Sequence, residues 1–143
     1  MFSREESKKI RQEFWTSFGQ EYSRKWILYD TKVKEIQLKF TFAQKRAIVS
    51  LDIESDDEII QAYYLEKLES LKTILKSEYL ADIVFDAEYE LPEGKTVSRI
   101  YTELQDKVSI NNKSDWPEVK HFFAENMHQM ELFWLEFKDF ITS

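Results

Sequence analysis

Hydrophobic residues recur along the chain with two periods, one typical of helices and the other typical of strands. The N-terminal segment has an apolar residue at every fourth position: Ile10, Phe14, Phe18 and Tyr22. This spacing places them on one face of a helix, and the capping-box spacing of Ser3 and Glu6 indicates where that helix begins. A long helix is predicted from Asp115 almost to the C-terminus, with these side chains on its core face: Val119, Phe123, Met130, Phe133, Phe137 and Ile141.

Strict alternation of apolar and polar residues predicts a β-hairpin in the first half of the chain. The stretch KEIQLKFTF is followed by the polar loop AQKR and by AIVSLDIE, which alternates in the same way. Pairing Phe42 with Ala47 and Ile36 with Ile53 brings apolar residues opposite one another along the whole hairpin, so the register is determined. A further short strand is predicted just before this hairpin, in KWILYDT.

A second helix and a second hairpin are predicted to follow. The helix begins at SDDE, where acidic residues suit the helix dipole, and ends near Glu78. In the hairpin, IVFDAEYEL and TVSRIYTEL are joined by PEGK, and pairing Leu91 with Thr96 places Glu88 opposite Arg99. The predicted order is therefore α-β-β-β-α-β-β-α. We expect residues 1–143 to form one α+β domain, with an antiparallel or mixed sheet of about five strands packed by helices.

The composition excludes glycine-rich nucleotide-binding loops and cysteine-based sites, and it indicates a cytoplasmic protein. Only two glycines are present, Gly19 and Gly94, so neither a Walker A loop nor a dinucleotide-binding loop fits the sequence. The absence of cysteine excludes disulfides, thiolate zinc sites and cysteine nucleophiles. The stretch MFSREESKKI is charged, and no apolar run has the length of a membrane span. We therefore expect a cytoplasmic protein that does not bind membranes.

Positive charge is concentrated in one segment of an otherwise acidic chain. The net charge of the chain is −7, yet residues 24–46 contain seven basic residues and two acidic ones, a net charge of +5. An anionic partner such as nucleic acid is one interpretation of this segment, because neutralising phosphates requires clustered Lys and Arg. The candidate contact residues are Lys32, Lys34, Lys45 and Arg46.

The polar face of the first hairpin brings carboxylates and a lysine together. In the predicted register Glu35 faces Glu54 and Gln37 faces Asp52, while Lys39 lies on the same face. Like charges directly opposite repel unless a cation or a basic side chain lies between them. Carboxylates with a lysine on an open sheet are also the groups that a nuclease uses to hold Mg²⁺ or Mn²⁺ and to offset developing charge.

The predicted order of elements is reminiscent of the restriction-endonuclease-like core, but the sequence motif of those enzymes is absent. That motif places a lysine two residues after an acidic residue on the third strand. Here LDIESDD has Glu54 and Asp56 in those positions after Asp52 and Glu54. A solvated sheet face without a cofactor is therefore the favoured interpretation, since topology alone does not establish activity. The alternative is a degenerate or divergent metal-dependent nuclease-like protein that uses Glu35, Lys39, Asp52 and Glu54.

Both histidines of the chain lie in HFFAENMHQM, within the predicted C-terminal helix. His121, Glu125 and His128 are spaced four and three residues apart, so they share one side of the helix, opposite its apolar face. Two imidazoles and a carboxylate in this arrangement are potential zinc ligands. The HExxH motif is absent, however, and a further protein ligand would be needed to close the site. The favoured interpretation is a solvent-exposed helix face, with a metal site as the alternative.

Three segments resemble one family over nearly the whole length of the chain. EFWTSFGQEY in the first helix, YDTKVKEIQLKF in the strands that follow and FWLEFKDFI near the C-terminus are similar to an uncharacterised bacterial domain-of-unknown-function family. Members of that family occur alone or at the end of larger proteins with nuclease-like domains. The resemblance implies an α+β fold and no established activity, substrate or catalytic residue.

These observations together favour a binding role over a catalytic one. We interpret the chain as a non-catalytic interaction domain of a bacterial cytoplasmic protein, with a protein partner or a second copy of itself in a homodimer. Nucleic acid is the alternative partner.

Overall fold

Two β-hairpins join through their inner strands into one antiparallel sheet. The computed structural model describes residues 2–143, and its sheet has the strand order β1-β2-β4-β3. The elements, in chain order, are α1 (Arg4–Glu21), β1 (Ile36–Phe42), β2 (Ala47–Ile53), α2 (Glu58–Ser70), α3 (Lys72–Glu78), β3 (Val84–Glu90), β4 (Thr96–Glu103), a 3₁₀ turn (Lys113–Asp115) and α4 (Trp116–Ile141). The α+β class is confirmed, with four antiparallel strands in place of the predicted five.

The predicted strand in KWILYDT is wrong, and the backbone shows why. Leu28 and Lys32 have positive φ angles of 44° and 70°, which interrupt an extended strand. The segment turns instead, since the Asp30 amide donates to the Ile27 carbonyl at 2.8 Å. It contacts β1 through a single backbone hydrogen bond, from the Leu38 amide to the Leu28 carbonyl at 3.0 Å. Without this strand the expected likeness to a restriction-endonuclease-like core is not confirmed.

The first hairpin has the predicted register along its whole length. Phe42 pairs with Ala47, and Ile36 pairs with Ile53. Alternate residues of β2 therefore face the helices, and the apolar ones join the main hydrophobic core. The pairing continues past the strand ends, because the Glu54 amide donates to the Glu35 carbonyl at 2.8 Å.

The register of the second hairpin differs from the prediction. Leu91 pairs with Lys95 rather than with Thr96, since Gly94, with φ of 91°, closes a tight turn one residue earlier. A β-bulge between Asp86 and Tyr89 shifts the register again. Arg99 consequently faces Asp86, and not Glu88.

The helices pack on one face of the sheet and place their aromatic side chains in the core. Ser3 and Glu6 form the predicted capping box of α1. The ring of Phe14 lies 4.8 Å from that of Phe42 on β1 and 5.3 Å from that of Trp116 on α4, measured between centroids. The second predicted helix is divided in two at Leu71, whose amide donates to the Leu68 carbonyl in a tighter turn.

Helix α4 is the longest element and crosses the sheet with one face buried. Most of the predicted core face is fully buried, and Phe137 is half-buried. Met127 and Trp134 are buried as well, which widens the apolar stripe. Within residues 2–143, no helix has the length and the apolar character needed to cross a membrane.

Candidate functional site

The sheet face turned away from the helices carries a buried ion pair. Asp52 on β2 and Arg99 on β4 are cross-strand neighbours, and both are almost inaccessible to solvent, at 1% and 3% exposure. Arg99 donates from Nε to one oxygen of Asp52 and from Nη2 to the other, at 2.8 Å each. Burial by itself lowers the pKa of Arg99, but the hydrogen bonds and charge of Asp52 outweigh burial and raise that pKa. The geometry of the pair is bidentate.

A tyrosine covers the ion pair and links it to a second one. The Tyr89 ring lies 4.3 Å from the Arg99 guanidinium, and its hydroxyl accepts a hydrogen bond from Arg46 at 3.0 Å. Arg46 also donates twice to Glu103, at 2.9 and 2.7 Å, and that contact raises the pKa of Arg46. Asp52 and Arg99 are therefore covered by other side chains of the same face, while Arg46 and Glu103 remain partly exposed.

Two of the three carboxylates predicted for a nuclease-like site, Asp52 and Glu54, are engaged in ion pairs within residues 2–143, and Glu35 is not. Lys39 lies 3.5 Å from an oxygen of Asp52, so it adds a second cation to a carboxylate already bound by arginine. Glu54 accepts a hydrogen bond from Lys95 at 2.8 Å, which raises the pKa of Lys95. Of the two glutamates expected to repel each other, Glu35 and Glu54, the second therefore has Lys95 as its basic partner.

Four residues of this face were not assigned to the site from the sequence: Tyr89, Lys95, Arg99 and Glu103. Arg99 occupies a polar position in an alternating strand, which placed it on a sheet face. Its partner was not predictable, because the pairing of β2 with β4 depends on the strand order. Among residues 2–143 no group of three or more His, Asp or Glu side chains is arranged to hold a metal ion.

The histidine-containing side of α4 lies on the exposed face, as the helical spacing predicts. His121, Glu125 and His128 are all exposed. The Nε2 atom of His121 lies 3.1 Å from the Glu125 carboxylate. His128 has a different neighbour, since its Nδ1 accepts a hydrogen bond from Arg24 at 3.3 Å. The three side chains are therefore not directed at a common point.

The basic segment does not form one positive patch. Lys32 and Lys34 precede β1, whereas Lys45 and Arg46 lie in the turn after it, and the seven residues of β1 separate these pairs by about 23 Å. Several charges are neutralised locally. Lys32 contacts Asp30 at 2.7 Å, and the hydrogen bond between them lowers the pKa of Asp30.

Arg24, the first basic residue of the segment, is neutralised in the same way. Arg24 forms an ion pair with the buried Glu131 of α4 and lies over the Trp26 ring at 4.0 Å. This pair attaches the segment after α1 to the long helix, which is a structural role.

A groove of about 560 Å³ runs between α4 and the connection from α3 to β3. One wall is formed by α4 and the other by residues 78–82, and Thr102 of β4 lies at the base. The Tyr79 ring anchors the second wall, because it packs 5.5 Å from the Phe133 ring in the core. The groove contains two of the three residues of the predicted helical motif, Glu125 and His128.

An exposed apolar surface lies on α2 and the end of α4. Ile59 is 80% exposed, and Tyr63, one turn later, is 41% exposed. The Lys67 ammonium lies 5.4 Å from the Tyr63 ring and 4.6 Å from the ring of Phe140, which is also exposed, so the three side chains are contiguous. We call Ile59, Tyr63, Lys67 and Phe140 the α2 surface.

Comparison with known proteins gives one match. No curated protein and no solved structure shows significant similarity to the chain. The match to a family covers residues 10–138, which includes every strand and most of α1 and α4. The chain therefore belongs to the family described as a domain of unknown function, DUF4268.

Proposed function

We propose that the chain is a non-catalytic interaction domain that associates with a second copy of itself through the α2 surface. The observation that carries the proposal is the exposure of Ile59 and Tyr63 on one face of α2. Contiguous apolar groups that project into water are typical of protein contact sites. Tyrosine in particular is favoured at such sites, because its ring is apolar and its hydroxyl has a polar partner, which for Tyr63 is the Ser143 carbonyl.

The position of Lys67 on α2 supports a second copy as the partner. Asp56, Asp57 and Glu58 lie at the start of the helix, and Lys67 lies near its end. If two copies of α2 pack antiparallel about a twofold axis near Tyr63, Ile59 of each copy lies opposite Lys67 of the other. Lys67 of each copy then lies near the acidic start of the other helix, which favours this self-complementary contact, although Glu66 and Glu69 on either side of Lys67 keep the end of α2 acidic overall.

The arrangement of the outer sheet face supports a non-catalytic role. Catalysis by a metal-dependent nuclease requires carboxylates that are free to hold the ion. Asp52 is instead bound on both oxygens by Arg99, and Glu54 is bound by Lys95. Neither carboxylate is available without breaking an ion pair.

Sedimentation equilibrium over a range of concentrations tests the association. The α2 surface is small for a protein interface, so we expect a dimer with a dissociation constant on the order of micromolar. Ile59→Ser combined with Tyr63→Ser should leave only monomer, while Leu132→Ser, at an exposed leucine of α4, should leave the dimer unchanged. A wild-type chain that is monomeric at millimolar concentration would contradict the proposal.

A nuclease assay tests the absence of catalysis. The chain is incubated with single-stranded and duplex DNA in the presence of Mg²⁺ or Mn²⁺, and we expect no cleavage. The matched control is Asp52→Asn, which removes the carboxylate that a nuclease-like site would use. Metal-dependent cleavage by the wild-type chain that is lost in Asp52→Asn would overturn the non-catalytic assignment.

A further inference from the structure

We propose that the groove between α4 and residues 78–82 binds an organic cation through its ammonium or guanidinium group. This site is separate from the α2 surface, and the inference does not depend on self-association. The groove includes Glu125 and His128 of the HFFAENMHQM segment, which are not part of the α2 surface.

The charge of the groove is the first observation. Its lining includes Glu78, Asp82 and Glu125, and it includes no lysine or arginine. The three carboxylates come from both walls, so a ligand in the groove lies between them. A group of one sign in a concave site concentrates ligands of the opposite sign. The expected ligand is therefore positively charged.

The base of the groove provides a second, independent observation. Thr102 is only 4% exposed and lines the groove. Its neighbours along the inner sheet face are apolar, since it pairs with Val49 and follows Ile100 by two residues. Within residues 2–143 its hydroxyl takes part in none of the side-chain hydrogen bonds and is not among the polar atoms fully shut off from solvent. A ligand in the groove that Thr102 lines therefore has access to it. A hydroxyl in this position accepts a hydrogen bond from a donor that reaches the base.

The remaining polar groups of the lining also suit a ligand that donates hydrogen bonds. Asn126 donates its own amide N–H to the Phe122 carbonyl at 2.8 Å, which leaves its carbonyl oxygen as an acceptor. His128 receives a hydrogen bond from Arg24 on Nδ1, so that side of the ring is already occupied. Carboxylates and carbonyl oxygens are acceptors only, and an ammonium or guanidinium group is a donor only. The acceptors of the groove lining are therefore complementary to the donors of such a ligand.

The size of the groove is consistent with an extended cation rather than a bare ion. A volume of about 560 Å³ is within the range of small-molecule sites. The absence of a metal-holding group among residues 2–143 fits a ligand that spans the groove instead of one held at a point. Two sources have the required chemistry, a free polyamine and an arginine or lysine side chain of a peptide.

Calorimetry combined with backbone NMR tests the site, with spermidine and a capped glycine-arginine-glycine peptide as probes. We expect one or both to bind with millimolar or better affinity and to shift the amide signals of Thr102, residues 78–82 and residues 125–129. Spermidine alone would identify a polyamine site, and the peptide alone would identify a side-chain site. Binding of neither probe would overturn the proposal.

Charge-neutral variants separate this site from general attraction to an acidic protein. Asp82→Asn and Glu125→Gln should each weaken binding about threefold to tenfold, since each removes one charge-assisted contact. Asp139→Asn removes the same charge from α4 outside the groove and should have no effect. Equal weakening by all three variants, or equal binding of Mg²⁺, would show unselective attraction and would contradict the proposal.

Thr102→Val tests the base of the groove without changing any charge. It removes the hydroxyl and keeps the shape of the side chain, so we expect weaker binding, by about threefold. In this variant, the shift that a probe causes at the amide of residue 102 should decrease more than the shifts at residues 78–82 and 125–129. Unchanged affinity for both probes in this variant would show that the ligand does not reach Thr102, which contradicts the geometry proposed here.

Discussion

Both oxygens of the Asp52 carboxylate accept hydrogen bonds from Arg99, at 2.8 Å each, and solvent is nearly excluded from both residues. The two residues are 47 positions apart and belong to different hairpins. The pair therefore joins the hairpins side chain to side chain, in addition to the backbone ladder between β2 and β4. The Tyr89 ring over the guanidinium shields the contact from water.

This pair predicts an asymmetric response to mutation. Arg99→Ala leaves the Asp52 carboxylate buried without its main partner, and we expect the free energy of unfolding to fall by about 3 to 5 kcal/mol. Replacing both residues, with Asp52→Leu and Arg99→Met, removes both charges and should cost much less. Denaturant melts of the single and double variants measure the difference. A double variant no more stable than Arg99→Ala would show that the charges, and not the shape, hold this face together.

The two faces of α4 predict a second contrast. Phe133 is fully buried and packs against Tyr79 and Phe137, whereas His121 is exposed. Phe133→Ala should lower the free energy of unfolding by about 3 to 5 kcal/mol, through lost burial and a residual cavity. His121→Ala should cost less than about 0.5 kcal/mol.

Denaturant melts with and without zinc check this contrast. If His121→Ala proved as damaging as Phe133→Ala, the helix faces would be assigned wrongly. If it abolished a stabilisation by zinc that the wild-type chain shows, the alternative of a metal site at His121, Glu125 and His128 would be supported.

The sequence predicts those features of the fold that depend on neighbouring residues. The register of the first hairpin follows from strict alternation, because a slip of one residue would turn Ile36 and Ile53 to the wrong face. The start of α1 follows from the capping box of Ser3 and Glu6. Each of these signals lies within one continuous stretch of the chain, the capping box in residues 3–6 and the hairpin in residues 36–53.

Features that depend on tertiary packing are not predictable from the same patterns. Trp26, Ile27 and Leu28 are packed against the core, which explains an apolar run that resembles a strand, but the positive φ of Leu28 has no glycine or asparagine to signal it. The groove is assembled from residues 78–82, Thr102 and α4, so no single stretch of sequence indicates it.

The buried hydroxyl of Ser50 predicts a stabilising substitution. Ser50 lies on the outer face of β2, between Lys39 and Tyr101 on the neighbouring strands, and its Oγ has no hydrogen-bond partner among residues 2–143. An unpaired buried polar group costs free energy, so Ser50→Ala should raise the free energy of unfolding by about 1 kcal/mol. Thermal melts measure the change, with Ser98→Ala as the control, since the Ser98 hydroxyl donates to the Ala87 carbonyl at 2.8 Å. The control should be destabilised, and a loss of stability in both variants would contradict the prediction.

Two raised pKa values predict how stability changes in alkaline solution. The hydrogen bond that Lys95 donates to Glu54 raises the pKa of Lys95, and burial, with the nearby charge of Glu35, raises the pKa of Tyr64. Each group therefore keeps its proton in the folded chain at a pH where the unfolded chain has begun to release it. Because the folded state then binds more protons, the contribution of these two groups to the free energy of unfolding should be constant below a pH of about 10 and fall as the pH rises further, through the folded pKa values.

Substitution separates the two groups in that alkaline range. Tyr64→Phe removes one of the titrations, so its stability should fall less steeply above pH 10 than that of the wild-type chain, whereas Tyr29→Phe, at an exposed tyrosine, should follow the wild-type curve. Lys95→Met should also reduce the slope, because the proton held by the contact with Glu54 is no longer present. Urea melts at intervals from pH 8 to pH 11 give the slopes directly. Stability that increases over this range would show that the unfolded chain holds the protons more tightly, the reverse of what the contacts of Lys95 and Tyr64 require.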